Sequence, residues 1–362
     1  MQLGILRAAG SAQALGYSHG QTYRHAIRRF AAERVALAGD ALWVGRDMPR
    51  SDVLALAESC LAAHRAYAPT LSNELEAMAD AAGLTTAEML IVSGFTDFMD
   101  VAHAAFSEPG APATDVDDCT AMIVPGSRTK HGAPLFAQTW DMHETATEHV
   151  FVYEGRPDHA PAFTTFTSMG CLGMIGMNEA GITLGINNLS GADGRVGVTW
   201  NFVVRKVLAQ TNIDDALACI VNARLAGAHN YLLVGADGRG ANIEATATQH
   251  VITPLGDTPL VHTNHCLAPD TQACERPRLK ASQINSEKRL ARAQQLLARQ
   301  YAVDVEQLMT LTRDTQAICY PPTPKLRMTT CGAVVADPAR RTLWALRGRP
   351  SEQTYQAYSP GD

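Results

Sequence analysis

The stretch Asp117-Asp118-Cys119-Thr120-Ala121-Met122-Ile123-Val124 decides how the rest of the chain is read. Ahead of it runs Ser107-Glu108-Pro109-Gly110-Ala111-Pro112-Ala113-Thr114, a loop-like segment that cannot continue a helix. After it the pattern turns to strands, over 119–124, then 134–139, then 149–154. Cys119 therefore opens the first strand of a β-rich region. If the Asp118–Cys119 bond were cut, this one residue would carry both a thiol and a free α-amine. The reference pKa of such an amine, about 7.7–8.0, suits it to take the thiol proton at neutral pH. Nucleophile and base would then come from the same residue. The ordinary alternative for a cysteine on an apolar strand is a small buried hydrophobe.

Toward the N-terminus the chain reads as helical. Residues 13–37 are rich in Ala, Arg and Glu, and Ser51-Asp52 opens a helix that runs to residue 66 and is closed by Pro69. Further helices are expected over 71–82 and 87–103. The division that follows is a helical segment 1–118 and a sheet-rich segment 119–362. In the second, strands come in blocks and helices come in blocks (199–210, 214–224, 281–300 and 305–312), which fits an α+β fold of sheets faced by helices.

Composition narrows the function class. Of 362 residues, 46% are hydrophobic and 18% charged, enough for a packed core. A net charge of −6 and a pI near 6.1 argue against a nucleic-acid partner. No apolar run has the length of a membrane span, and neither end reads as a secretory or lipidation signal. Eight cysteines without a disulfide framework read as reduced thiols in a cytoplasm.

Three places downstream could carry chemistry. Gln138-Thr139-Trp140-Asp141 closes the second strand, and an antiparallel hairpin would return Asp141 beside Cys119, where a carboxylate could stabilise the ammonium form of its amine. The alternative is a strand-end Asp in a turn. Val261-His262-Thr263-Asn264-His265-Cys266 ends a later strand, where the Asn264 amide could donate to a developing oxyanion. The same stretch has a zinc reading through His262, His265, Cys266 and Cys274, but its spacing fits no compact zinc module. Gly170-Cys171-Leu172-Gly173-Met174-Ile175-Gly176 lacks the Gly-Lys-Ser/Thr ending of a phosphate loop and reads as tight turns. Arg289 and Arg292 read as the solvated face of a late helix.

From Cys119 onward the chain resembles the cysteine N-terminal-nucleophile (Ntn) hydrolases of the isopenicillin N acyltransferase family, and more distantly choloylglycine hydrolase and acid ceramidase. The motifs are Asp-Cys-Thr at 118–120, Gln-Thr-Trp-Asp at 138–141, Gly-Met-Asn-Glu-Ala-Gly-Ile at 176–182 with Asn187-Asn188-Leu189, and His-Thr-Asn-His at 262–265. The helical lead, with Glu74-Leu75-Glu76-Ala77-Met78, is similar to that family's pro-segment. The resemblance implies a four-layer αββα sandwich, a pro-segment that stays associated after cleavage, and hydrolysis or transfer of an N-acyl amide through a thioester on Cys119. It implies Asp141 as the carboxylate partner, Asn264 as oxyanion donor, Asn188 as a second Asn and Arg292 as an active-site Arg. No cofactor is implied; a transferase would take acyl-CoA as co-substrate. The expected partners are a small N-acyl amide and the fragments 1–118 and 119–362 for each other, and association into a homo-oligomer is compatible with the sequence. Precursors of the family are often cut after Gly, whereas Asp118 stands here, and a side chain there restricts the backbone strain available to an N-to-S acyl shift. A non-maturing binding protein and a metallohydrolase are the readings from other classes.

Overall fold

The computed structural model describes residues 3–107, 118–323 and 327–361, so residues 108–117 of the expected linker lie outside it. The N-terminal part is strand β1 (Gly4–Gly10) followed by helices α1 (Ala12–Thr22), α2 (Arg24–Leu37), α3 (Ala41–Val44), α4 (Arg50–Tyr67), α5 (Pro69–Ala82), α6 (Thr86–Ser93) and α7 (Phe95–Phe106). An all-helical segment was expected, and β1 corrects it. This strand is half-exposed and pairs in parallel with the edge of a sheet from the other segment, so it lacks a clean in–out alternation. The helix expected over 13–37 is broken at Tyr23, and that over 87–103 at Gly94, where the chain bends by 106°. A Cβ on Gly94 would stand 2.5 Å from the Thr199 Cβ, so only glycine lets the two segments approach. Pro69 begins α5 at its first turn instead of merely ending α4, since the missing N–H is an orphan there anyway.

After Asp118 come β2 (Asp118–Val124), β3 (Leu135–His143), β4 (Val150–Pro157), β5 (Phe163–Ser168), β6 (Ile175–Asn178) and β7 (Thr183–Asn188). Helices α8 (Trp200–Val207) and α9 (Ile213–Val221) lead to β8 (His229–Val234), β9 (Gly240–Ala245), β10 (His250–Pro254) and β11 (Leu260–His262). Then follow α10 (Pro269–Gln272), α11 (Lys280–Ala298), α12 (Val305–Thr312), β12 (Met328–Asp337), β13 (Thr342–Arg347) and β14 (Gln356–Tyr358). The strands form an eight-stranded sheet, β1-β4-β5-β6-β7-β8-β9-β10, and a six-stranded sheet, β11-β2-β3-β12-β13-β14.

Period-two alternation builds the layers. Along β2 and β3, Ala121, Ile123, Phe136 and Trp140 enter the large core shared with the first sheet. Met122, Val124, Leu135 and Ala137 face the other way, onto Ala293, Leu297, Leu308 and Leu311 of α11 and α12. Helices α1, α5, α8 and α9 cover the outer face of the first sheet, giving helix, sheet, sheet and helix in succession. The protein is thus α+β, a four-layer αββα sandwich. Gln138 pins the sheets to each other, its Nε2 donating to the Ile186 carbonyl and its Oε1 accepting the Ile186 N–H at 3.1 Å. No single helix among the described residues is long and apolar enough to cross a membrane.

The first 107 residues are tied to the rest by buried polar bonds as well as by β1. Glu74 holds Arg205 with two bonds of 3.0 and 3.1 Å. Asp97 takes the His229 Nδ1 at 2.8 Å and the Trp200 N–H at 2.7 Å. Asp100 takes the Arg276 guanidinium at 2.6 Å and the N–H groups of Gly191 and Ala228 at 3.1 and 3.0 Å.

Candidate active site

Strands β2 and β3 form the expected hairpin, in a register that sets Asp118 opposite Asp141 and Cys119 opposite Trp140. Alternation then sends the Cys119 side chain between the sheets, with Ala121, and sends Asp118 and Asp141 toward α11. Cys119 is 1% exposed, so in the uncut chain its thiol is closed off from solvent.

Two side chains converge on the backbone of Cys119. The Asn264 Oδ1 accepts the Cys119 N–H at 2.6 Å, and the Arg289 Nη1 donates to the Cys119 carbonyl. The Arg289 Nη2 reaches Asp118 Oδ1 at 2.7 Å and Asn264 Oδ1 at 3.1 Å, while its Nε meets Asn285 at 2.7 Å. Tyr320 donates to the other Asp118 oxygen at 3.3 Å. The peptide unit joining Asp118 to Cys119 is thus held at its N–H by Asn264 and flanked by a wholly buried guanidinium, which bonds the Asp118 side chain before it and the Cys119 carbonyl after it.

Asn264 is itself fixed. β11 ends at His262, and the Asn264 N–H donates to Ser286 Oγ of α11 at 2.9 Å. One hydrogen of its Nδ2 goes to the carbonyl of Asn188, the last residue of β7, at 3.0 Å. An amide nitrogen carries two hydrogens, so donation to an additional oxygen stays chemically available. Asn188 enters this link through its backbone, not its side chain.

Asp141 is fully buried, and neither carboxylate oxygen meets a donor in hydrogen-bond geometry among the described residues. Burial pushes its pKa up to about 7, against the pull of Arg289 and Thr330, and nearby Asp118 adds to the rise. A carboxyl poised this way would bind a new cation beside Cys119 strongly, because the cation would remove the desolvation cost that holds the proton on.

Two expectations about arginine need correcting. Arg292 does not reach this cluster: it pairs with Asp314 at 2.6 Å and with Gln295 at 3.0 Å, one turn further on. Arg289, read as solvated, is the one in the cluster. The buried side chains of α11 are Ser286, Arg289, Ala293 and Leu297, a three-to-four spacing that includes Arg289 and leaves Arg292 out. That stripe was the available signal, and the formal charge concealed it.

The histidines flanking Asn264 act as clamps. The His262 Nε2 meets Glu244 Oε1 of β9 at 2.8 Å, and the His265 Nδ1 meets Ser286 Oγ at 2.7 Å. Burial alone would raise the Glu244 pKa, but His262, Thr271 and the Ala268 N–H reverse this and bring it down to about 2. Burial lowers His265 to about 4. Cys266 is buried with its N–H on Glu275, and Cys274 lies 3.9 Å from Thr248 Oγ1. Among the described residues no group of three or more His, Cys, Asp or Glu is arranged to hold a metal ion.

The family described as acyl-coenzyme A:6-aminopenicillanic acid acyl-transferase matches residues 127–352, beginning just after β2. A curated relative, the acyl-coenzyme A:6-aminopenicillanic-acid-acyltransferase 40 kDa form of Emericella nidulans, is 27% identical over 154 residues. That alignment spans 42% of this chain and 42% of the relative, less than half the length of either. Among solved structures, a mutant of conjugated bile acid hydrolase from Clostridium perfringens is similar with a TM-score of 0.46 and 10% identity, covering 67% of this chain and 92% of that one. Penicillin V acylase from Agrobacterium tumefaciens is similar with a TM-score of 0.42 and 12% identity, covering 66% and 84%. With well over half of its residues matched by one family, this chain belongs to the acyl-coenzyme A:6-aminopenicillanic acid acyl-transferase family.

Proposed function

We propose that this chain cuts itself between Asp118 and Cys119 and then acts as an Ntn amidohydrolase on a small N-acyl amide. The observation that carries the reading is the grip of Asn264 and Arg289 on the N–H and carbonyl of Cys119, at the open end of a buried hairpin.

In self-cleavage the Cys119 sulfur attacks the Asp118 carbonyl carbon. The peptide C–N bond breaks as its nitrogen takes a proton, leaving the Asp118 acyl group on sulfur as a thioester. Water hydrolyses the thioester and returns a free Asp118 carboxylate and the thiol. In turnover the new α-amine accepts the thiol proton, and Asp141 as a carboxylate stabilises the resulting ammonium. The thiolate attacks the substrate acyl carbon, the spare Nδ2–H of Asn264 meets the oxyanion, and the ammonium protonates the leaving amine. Water then releases the acid. Arg289 holds the Cys119 carbonyl throughout, which fixes the orientation of the nucleophile.

The reading takes no cofactor and makes the fragments 1–118 and 119–362 each other's partner. A cytoplasmic location is part of it, supported by eight free cysteines. Acyl transfer from acyl-CoA to an amine is the second reading, favoured by the family's own description. It differs only in which nucleophile resolves the thioester.

Intact-mass analysis of purified protein is expected to show two fragments that stay together on gel filtration, and Cys119→Ala a single inactive chain. Full activity in an unbroken chain would overturn the reading. Release of free acid, measured with and without an added amine acceptor, separates hydrolysis from transfer.

A further inference from the structure

Helices α1 and α5 lie against each other through Gly16 and Gly20. A Cβ on Gly16 would stand 2.0 Å from the Glu74 carbonyl oxygen, and one on Gly20 would stand 2.3 Å from that of Met78. Residue 16 beside 74 and residue 20 beside 78 mean that the two helices run in the same direction. Their N-termini, the positive ends of both dipoles, therefore stand together. Neither first turn carries an acidic residue. Ser11 caps α1, whereas α5 starts at Pro69 with no capping side chain, which leaves its first N–H groups without a helical acceptor.

Both ends open on a cavity of about 490 Å³, a size typical of small-molecule sites. Leu15, Leu71, Phe163 and Leu208 supply its apolar wall. The Lys206 ammonium lies there over the Tyr67 ring at 3.8 Å and donates to the Tyr67 carbonyl at 2.8 Å. Arg205 also lines it, 4% exposed, stacked over Phe163 at 3.8 Å. Two of its nitrogens are committed to Glu74, but its buried Nε has no hydrogen-bond partner among the described residues. Asp158 is exposed at the rim. Phe163 belongs to the helix-covered face of the first sheet, so that sheet stands between this cavity and the sheet that carries Cys119.

We propose that this cavity binds a free carboxylic acid with a short alkyl chain, of the medium-chain fatty acid class. Glu74 neutralises Arg205, so one ammonium and two partial positive charges remain, which suits a monoanion and not a phosphate dianion. The carboxylate meets the α5 N-terminus and Lys206, and the tail lies along Leu15, Leu71, Phe163 and Leu208. The site is independent of the thiol chemistry and stands whether or not Cys119 matures.

Titration calorimetry of the full-length protein with octanoate tests it. One saturable site is expected with a dissociation constant of roughly 1 mM or tighter, the range for about ten heavy atoms. Cys119→Ala should bind equally well, and 1-octanol at least ten-fold more weakly. Thr70→Glu places a carboxylate in the first turn of α5, which favours the helix while repelling the ligand. It should keep the wild-type melting temperature and bind at least ten-fold more weakly. Should that variant melt early, Lys206→Gln, expected to show the same loss, decides. Absence of saturable binding up to 10 mM (roughly ten times the expected constant), loss of binding in Cys119→Ala, equal binding of 1-octanol, or wild-type affinity in the deciding variant would each overturn the proposal.

Discussion

The N-terminal segment meets the rest of the chain in two very different ways. At α7 the contact is multivalent: Asp97 and Asp100 together satisfy a histidine, an arginine and three backbone N–H groups from β8, α8 and the loops beside them. At Asp118–Cys119 the link is a single peptide bond, its N–H held by Asn264 and the groups on either side of it by Arg289, both from the far segment. The first contact does not depend on the covalent bond, and the second exists only around it. Cutting that bond would therefore remove none of the polar bonds at α7, nor β1 from the sheet edge. In this architecture that bond can be broken without the fold being lost.

The strongest way to break this comparison is to remove the arginine from the second contact. Arg289→Met leaves the buried Asp118 carboxylate without its cation, an uncompensated loss of about 3–5 kcal/mol. It also frees the Cys119 carbonyl and with it the orientation of the thiol, so we expect self-cleavage slowed by about 10²-fold. Arg292→Met, which among the described residues gives up hydrogen bonds to Asp314 and Gln295, should mature within a few-fold of wild type. Time-resolved gels of both variants check this; equal rates would return Arg289 to a structural role.

The first contact is tested by Asp100→Ala. Three donors lose their acceptor at once, including the Arg276 guanidinium, which is 10% exposed. The cost should be about 3 kcal/mol, near the lower end for an orphaned buried charge. The variant should still cut itself, because Asp100 makes none of the bonds that hold Cys119. After cutting, its fragments should separate in lower urea than those of the wild type. Unchanged co-migration through a urea series would show that β1 and Glu74 suffice to hold the segments together.

How much of this was legible beforehand depended on whether a residue obeyed the pattern of its element. The β2–β3 hairpin follows a plain alternation, so Asp141 could be set near Cys119 from the sequence. Asn264 lies just past a strand end with polar residues on both sides and stood out for that reason. β1 gave little signal, because an edge strand pairing in parallel with a distant partner needs no alternation of its own. Gly94 looked like an ordinary helical residue, and only the Thr199 loop packed on it explains the bend. Arg289 was hidden by chemistry, since a guanidinium on a surface-length helix is usually solvated. Its compensation by Asp118 and Asn264 comes from residues 171 and 25 positions away.

The smallest effect expected is the pH profile of stability, and here buried groups oppose one another. Burial lowers His19 to about 3 and His64, His103, His149 and His265 to about 4. Below about pH 6.5 the unfolded chain protonates these five and the folded one does not, so each subtracts stability as the pH falls toward 4. Burial raises Asp100 and Asp141 to about 7. The folded state holds these protons above pH 4 while the unfolded state releases them, so each adds stability over the same fall in pH. Five outweigh two, and the melting temperature should drop on going from pH 6.5 to 4. Asp141→Asn removes one opposing group, so its melting temperature should drop more steeply than that of the wild type over this window. The Cys119→Ala background keeps every molecule uncut, so that no change in fragment association enters the measurement. A melting temperature that holds or rises on acidification would mean that the carboxyl groups outweigh the histidines, whereas an Asp141→Asn slope no steeper than the wild type would mean that Asp141 is ionised in the folded chain. Its carboxylate would then be paired with Arg289 in solution, and no longer held as an acid awaiting the amine of Cys119.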